Sequence, residues 1–70
     1  MKTKIIIGSP LDYEELVAYI WINDEEVALV QKEEGIDKMK IKFFDEKIST
    51  EIYLDVFIDA LKQAKDALMK

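Results

Sequence analysis

Carboxylates are the most numerous side chains in this sequence that could do chemistry, and several are clustered: Asp24-Glu25-Glu26 and Glu33-Glu34. Neighbouring acids can act as a general acid–base pair or hold a hard cation, provided that they converge on one point. Consecutive acids at turns instead splay into water and repel one another, and neither cluster has the spaced ligands of a calcium loop. The other catalytic groups are missing or isolated. There is no histidine and no cysteine, which excludes serine–histidine and cysteine nucleophiles and ordinary zinc sites. All ten basic residues are lysine, so no arginine can clamp a phosphate through two parallel hydrogen bonds. Ser9 suits a helix cap and Ser49 an outward strand position. Gly8 and Gly35 stand alone, so no glycine-rich phosphate loop exists. The expectation is a protein that is not an enzyme and that uses no cofactor and no metal.

The charges themselves are unevenly placed. Residues 12–37 hold nine acids against one lysine, Lys32, a net charge of −8. Residues 38–47 carry Lys38, Lys40, Lys42 and Lys47 against Asp45 and Glu46, a net of +2. Over all seventy residues the formal charge is −5. An acidic surface of this kind either keeps an apolar hairpin in solution or meets a basic protein partner. Nucleic acid is not an expected partner: the lysine row at 38–42 sits in an acidic chain without arginine.

Positioning these residues requires a folded domain. Half of the residues are apolar and three are Gly or Pro, which is not the composition of a disordered chain. Residues 1–70 are read as one small domain, of a size that often gains stability from a partner chain. Residues 2–7 predict a first strand, ended by Gly8-Ser9-Pro10, with at most one helical turn at 10–14. Leu16–Ile22 is an unbroken apolar run of seven, rich in β-branched and aromatic residues, and predicts a strand covered on both faces. Asn23-Asp24 then reads as the turn of a hairpin whose second strand is Val27–Val30. Lys38–Phe43 alternates strictly. A turn at Asp45-Glu46 followed by Ile48–Ile52 would set Phe43 opposite Ile48, Ile41 opposite Thr50, Met39 opposite Ile52 and Lys40 opposite Glu51. From Asp55 the chain reads as an amphipathic helix. Leu54, Phe57, Ile58, Leu61, Ala64 and Leu68 form its apolar stripe, and Asp55, Asp59, Lys62, Gln63, Asp66 and Lys70 its wet side. The fold class is α+β: an antiparallel meander of four or five strands with one C-terminal helix on one face.

One helix covers only one face of such a sheet. Leu16, Ala18, Ile20 and Ile22 share one face, Val17, Tyr19 and Trp21 the other. The uncovered strip needs the N-terminal strand region, a second copy or a foreign protein over it. Tyr19 and Trp21, with Asp24, Glu25, Glu26, Glu33 and Glu34, are therefore the candidate partner-binding residues. The expected function is a small acidic protein-binding module, of inhibitor or immunity and counter-defence type, against a basic or nucleic-acid-binding protein. The alternative is a homodimeric structural or accessory domain. A third reading is a small-ligand binder using Tyr19 and Trp21. Lysine-only, isoleucine-rich usage fits an AT-rich bacterial or phage genome. The apolar runs are too short to span a bilayer or to form a signal-peptide core, so no membrane partner and a cytoplasmic location are expected.

Overall fold

A computed structural model of the chain describes residues 2–44 and 51–69. The first strand, β1, is Thr3–Gly8, in which β-branched residues favour an extended backbone. Pro10, which has no N–H to give a ladder, follows its end. The Tyr13 N–H donates to the Pro10 carbonyl at 3.3 Å, so residues 10–13 make a turn rather than a helix. The second strand, β2, is Val17–Ile22, one residue shorter than predicted, and pairs antiparallel with β1.

The hairpin turn is Asn23-Asp24, as its residue types predict. Both residues have positive φ, 51° and 67°, the geometry of the two-residue turn that matches strand twist. So tight a turn puts Glu25 directly opposite Ile22, and β3 therefore spans Glu25–Gln31, starting two residues before the predicted Val27. Ile20 pairs with Ala28 but Trp21 pairs with Glu26, so β3 carries an extra residue there, a β-bulge. The bulge has two effects. It lets Val27 and Ala28 both reach the core, and it sets Glu26 on the same face as Trp21.

Gly35, at φ 119°, leads into a short 3₁₀ turn at Ile36–Lys38. That turn takes Lys38 out of the predicted strand, and β4 is Lys40–Phe43, antiparallel to β3. The described strands form one antiparallel meander in the order β1-β2-β3-β4. The predicted Asp45-Glu46 loop, and with it Ile48 and Thr50, lies outside the described residues. Glu51 and Ile52 lie in no strand. The predicted Lys40–Glu51 pair is replaced by an ion pair between Lys40 and Glu34, because the β3–β4 register returns Lys40 to the end of β3, opposite Gln31. Met39 and Ile52 are not strand partners either; both pack against the core.

The helix α1 is Leu54–Leu68 and lies over β1 and β2. Its buried residues are Ala60, Ala64 and Leu68, set against Ala18, Ile20, Ile22, Val27, Ala28 and Val30 of the sheet. Of the predicted stripe, Ala64 and Leu68 are buried and Phe57 and Leu61 pack against the core, with Ala60 added to them and two members left out. Leu54 is 71% exposed and Ile58 45% exposed, while Leu61 is half-buried at the flank. Alanines one turn apart let the helix backbone approach the sheet more closely than leucines would, and the larger side chains are displaced sideways. On that flank Phe57 stacks on Phe43 of β4, with ring centroids 6.1 Å apart. At the other end, the Lys32 ammonium donates to the Leu68 carbonyl at 3.0 Å. A cation there satisfies an unpaired carbonyl and suits the negative end of the helix dipole. No helix among the described residues is long and apolar enough to cross a membrane.

Candidate functional site

The helix covers the Ala18–Ile20–Ile22 face, which leaves the other face of the sheet without a helix. Strand register assigns the residues of that open face. Tyr19 and Trp21 of β2 lie beside Ile6 and Lys4 of β1 on one side, and beside Leu29 and Glu26 of β3 on the other. Lys42 of β4 stands opposite Leu29. Val17 and Leu29 are buried by their neighbours, whereas Ile6, Tyr19, Trp21 and Phe44 are half-buried and form the accessible apolar surface.

Two contacts hold the aromatic part in place. The Tyr19 ring stacks on Phe44, centroids 6.4 Å apart and planes 22° from parallel. On the other side Tyr19 leans over Gly8: a Cβ built at Gly8 would meet Tyr19 Cε2 at 2.7 Å. Glycine is needed there for the space, since the ring occupies the volume of its missing side chain. Phe44 is positioned through its backbone, whose N–H donates to the Val27 carbonyl at 3.0 Å, at the β-bulge. An aromatic pair locked in this way presents area at little entropic cost, as binding hot spots do.

The acidic candidates divide into two groups at opposite ends of the β2–β3 hairpin. Glu33 and Glu34 are engaged within the chain. A Glu33 carboxylate oxygen accepts from the Glu14 N–H at 2.5 Å and the Glu15 N–H at 3.1 Å, tying the β1–β2 connection to the end of β3. Glu34 pairs with Lys40. At the turn end, Asp24 and Glu25 are exposed, and Glu26 is half-buried beside Trp21 on the open face. Among the described residues no hydrogen bond or ion pair engages the side chains of these three acids.

The structure thus brings Tyr19, Trp21 and Glu26 onto one face, places Asp24 and Glu25 at its edge, and separates Glu33 and Glu34 from them. Sequence reasoning missed Ile6 and Phe44. Alternation assigns Ile6 to a face only once the β1–β2 register is known, and Phe44 follows Phe43, whose face is the opposite one. Among the described residues no charged side chain is buried, and no three acids lie close enough to share a metal ion. Comparison of the chain with protein-family models, curated proteins and solved structures finds no match.

Proposed function

We propose that this chain is a non-enzymatic protein-binding module that receives a basic protein partner on the helix-free face of its sheet. The observation that carries this reading is the juxtaposition of the half-exposed Ile6, Tyr19, Trp21 and Phe44 with Glu26, Asp24 and Glu25, acids whose side chains have no partner among the described residues. An apolar aromatic centre with a charged rim is the usual composition of a protein interface. The aromatic residues supply contact area on desolvation, and the acids steer a basic partner and fix its orientation. Glu33 and Glu34 are assigned a structural role instead, since both already have partners within the chain. This reading takes the target to be a basic, nucleic-acid-binding protein and the chain to be its inhibitor, of immunity or counter-defence type. The partner complex is expected to form in the cytoplasm.

The test replaces Trp21 by a photo-crosslinking phenylalanine analogue and identifies what is captured in cells of the source organism. The captured protein should be basic. Its binding to the purified chain should weaken with salt, and weaken at least tenfold in Tyr19→Ala and in the double variant Glu25→Lys with Glu26→Lys. A captured partner whose affinity is indifferent to both changes, or the absence of specific capture, overturns the proposal.

A further inference from the structure

β1 ends the sheet on the side away from β4, and no backbone group among the described residues bonds to its outer edge. Which of its residues face that edge follows from the ladders on β2. Ile22 and Glu25 close a two-residue hairpin, so Ile22 directs its N–H and C=O toward β3. Thr3, the partner of Ile22 on β1, therefore directs its own groups away from β2. The neighbouring pair has the opposite phase, since the Asn23 N–H donates to the Lys2 carbonyl at 2.8 Å. Alternation settles the remainder. Lys4, Ile6 and Gly8 bond inward to β2, while Thr3, Ile5 and Ile7 present N–H and C=O at the edge.

We infer that this edge pairs antiparallel with β1 of a second copy of the chain, about a two-fold axis that passes through Ile6 perpendicular to the sheet. Such an axis keeps the helix face of both copies on the same side, so each residue meets only residues of its own face. A register centred on Lys4 would oppose two lysines, and one centred on Ile5 would oppose Lys4 to Ile6. Centring on Ile6 opposes Ile6 to Ile6 and Ile5 to Ile7, with the outward N–H and C=O groups of Ile5 and Ile7 exchanging hydrogen bonds. Lys4 then lies opposite Gly8. Because Gly8 has no side chain, Lys4 meets no opposing side chain there, and its aliphatic stem can lie along the Cδ2–Cε2 edge of the Tyr19 ring with the ammonium in water. The two Lys4 residues stand about 13 Å apart along the strands, more than the screening length of about 8 Å at physiological salt.

The two sheet edges differ in a way that favours this choice. Among the described strands, β4 has four residues of which two, Lys40 and Lys42, are lysine, against one, Lys4, in the six of β1, and lysines on an edge discourage strand addition. β1 has six residues with neither proline nor bulge, and Ile7 is 42% exposed. The pairing is independent of the partner proposed above, although it would join two Tyr19–Trp21 strips into one surface across the axis.

The chain has no cysteine, so single-cysteine variants report contacts without background. Across the axis the two Ile6 residues form a non-hydrogen-bonded pair with Cα atoms about 4.5 Å apart, within disulfide range. On air oxidation the purified Ile6→Cys chain is expected to become mostly disulfide-linked dimer, and Ile5→Cys, whose neighbour is Ile7, to remain mostly monomer. Sedimentation of the unaltered chain is expected to show a monomer–dimer equilibrium in the micromolar range. A synthetic chain N-methylated at Ile7 should keep its far-UV spectrum and lose the dimer, since only an outward N–H is removed. Monomer alone up to millimolar concentration overturns the proposal and leaves the edge to a foreign strand. Equal cross-linking of Ile5→Cys and Ile6→Cys, or a dimer that survives N-methylation at Ile7, overturns it as well.

Discussion

Ile20 is the position at which the docking of helix on sheet can be measured most directly. It is fully buried in β2, paired with Ile5 on one side and Ala28 on the other, in the cluster that includes Ala60 and Ala64 of α1. Ile20→Ala removes the atoms that fill this space, and four of the neighbours, Ala18, Ala28, Ala60 and Ala64, have no rotamers with which to refill it. Ile→Ala changes in cores cost about 2–5 kcal/mol depending on how far the site can collapse. A site walled by alanines falls in the upper half, about 3.5–4.5 kcal/mol. Domain stability runs at about 0.05–0.15 kcal/mol per residue, or roughly 3.5–10 kcal/mol for a chain of this length. The substitution therefore consumes between a third and all of it. At about 4–8 °C per kcal/mol for small domains, the midpoint should fall by roughly 15–35 °C. Urea titration followed by Trp21 fluorescence and by far-UV circular dichroism measures the change, with Leu11→Ala, at a fully exposed position, as the reference. The reference should stay within about 0.5 kcal/mol of the parent, and Ile20→Val should lose about 1 kcal/mol. A loss for Ile20→Ala below about 1.5 kcal/mol would show that α1 is not seated over Ile20.

Three further outcomes are expected. Gly8→Ala should destabilise by about 1–2 kcal/mol, since the new Cβ forces the Tyr19 ring aside, and should alter the near-UV dichroism of the Tyr19–Phe44 stack. Asp24→Gly should stabilise by about 0.5–1 kcal/mol, because glycine adopts the φ of 67° without strain, yet weaken binding to a basic partner; thermal melts and affinity measured on the same sample separate the two effects. Glu33→Ala should speed hydrogen exchange at the Glu14 and Glu15 amides by about tenfold, the equivalent of roughly 1–1.5 kcal/mol for the lost carboxylate contacts, while the amides of β2 exchange as before.

The meander and the helix could be read from the sequence because each is specified locally. Asn23-Asp24 carries the residue types that a tight hairpin turn demands, and the strict alternation from Met39 to Phe43 fits only a strand. Details that depend on contacts distant in sequence could not be read. The bulge that moves Glu26 to the face of Trp21 arises from the misfit between a two-residue turn and the pairing of Ile20 with Ala28, and no single residue announces it. The margin of the helix stripe went the same way. Ranking apolar positions by size includes Leu54 and Ile58 and passes over Ala60, whereas close approach to the sheet favours Ala60 beside Ala64 and leaves Leu54 and Ile58 exposed. Of the candidate site, parity puts Tyr19 and Trp21 on one face of β2, but which face the helix covers is decided by the helix packing on Ala18, Ile20 and Ile22 and not by parity. The separate roles of Glu25 and Glu33 were not legible, since charge in sequence does not record which carboxylate has a backbone N–H within reach.

That division of the acids bears on what the surface can do. Acids at both ends of one hairpin suggest a single negative field, but among the described residues only those at the turn are without a contact inside the chain; Glu33 and Glu34 hold the opposite end together. A field concentrated at one end is directional. It would orient an incoming basic surface along β2, with its charges over Asp24, Glu25 and Glu26 and its apolar part over Trp21, Tyr19 and Phe44. The two-fold pairing of β1 would set two such strips antiparallel, each with its acids at the outer end, separated by Ile6, Tyr19 and their symmetry mates. A partner spanning both strips would need basic groups at two ends and apolar groups between them, which is the pattern of a partner that is itself two-fold symmetric. Both arrangements hold one partner chain per chain, so the mass of the complex distinguishes them: a one-to-one complex where the strip acts alone, and a two-to-two complex where both strips act together.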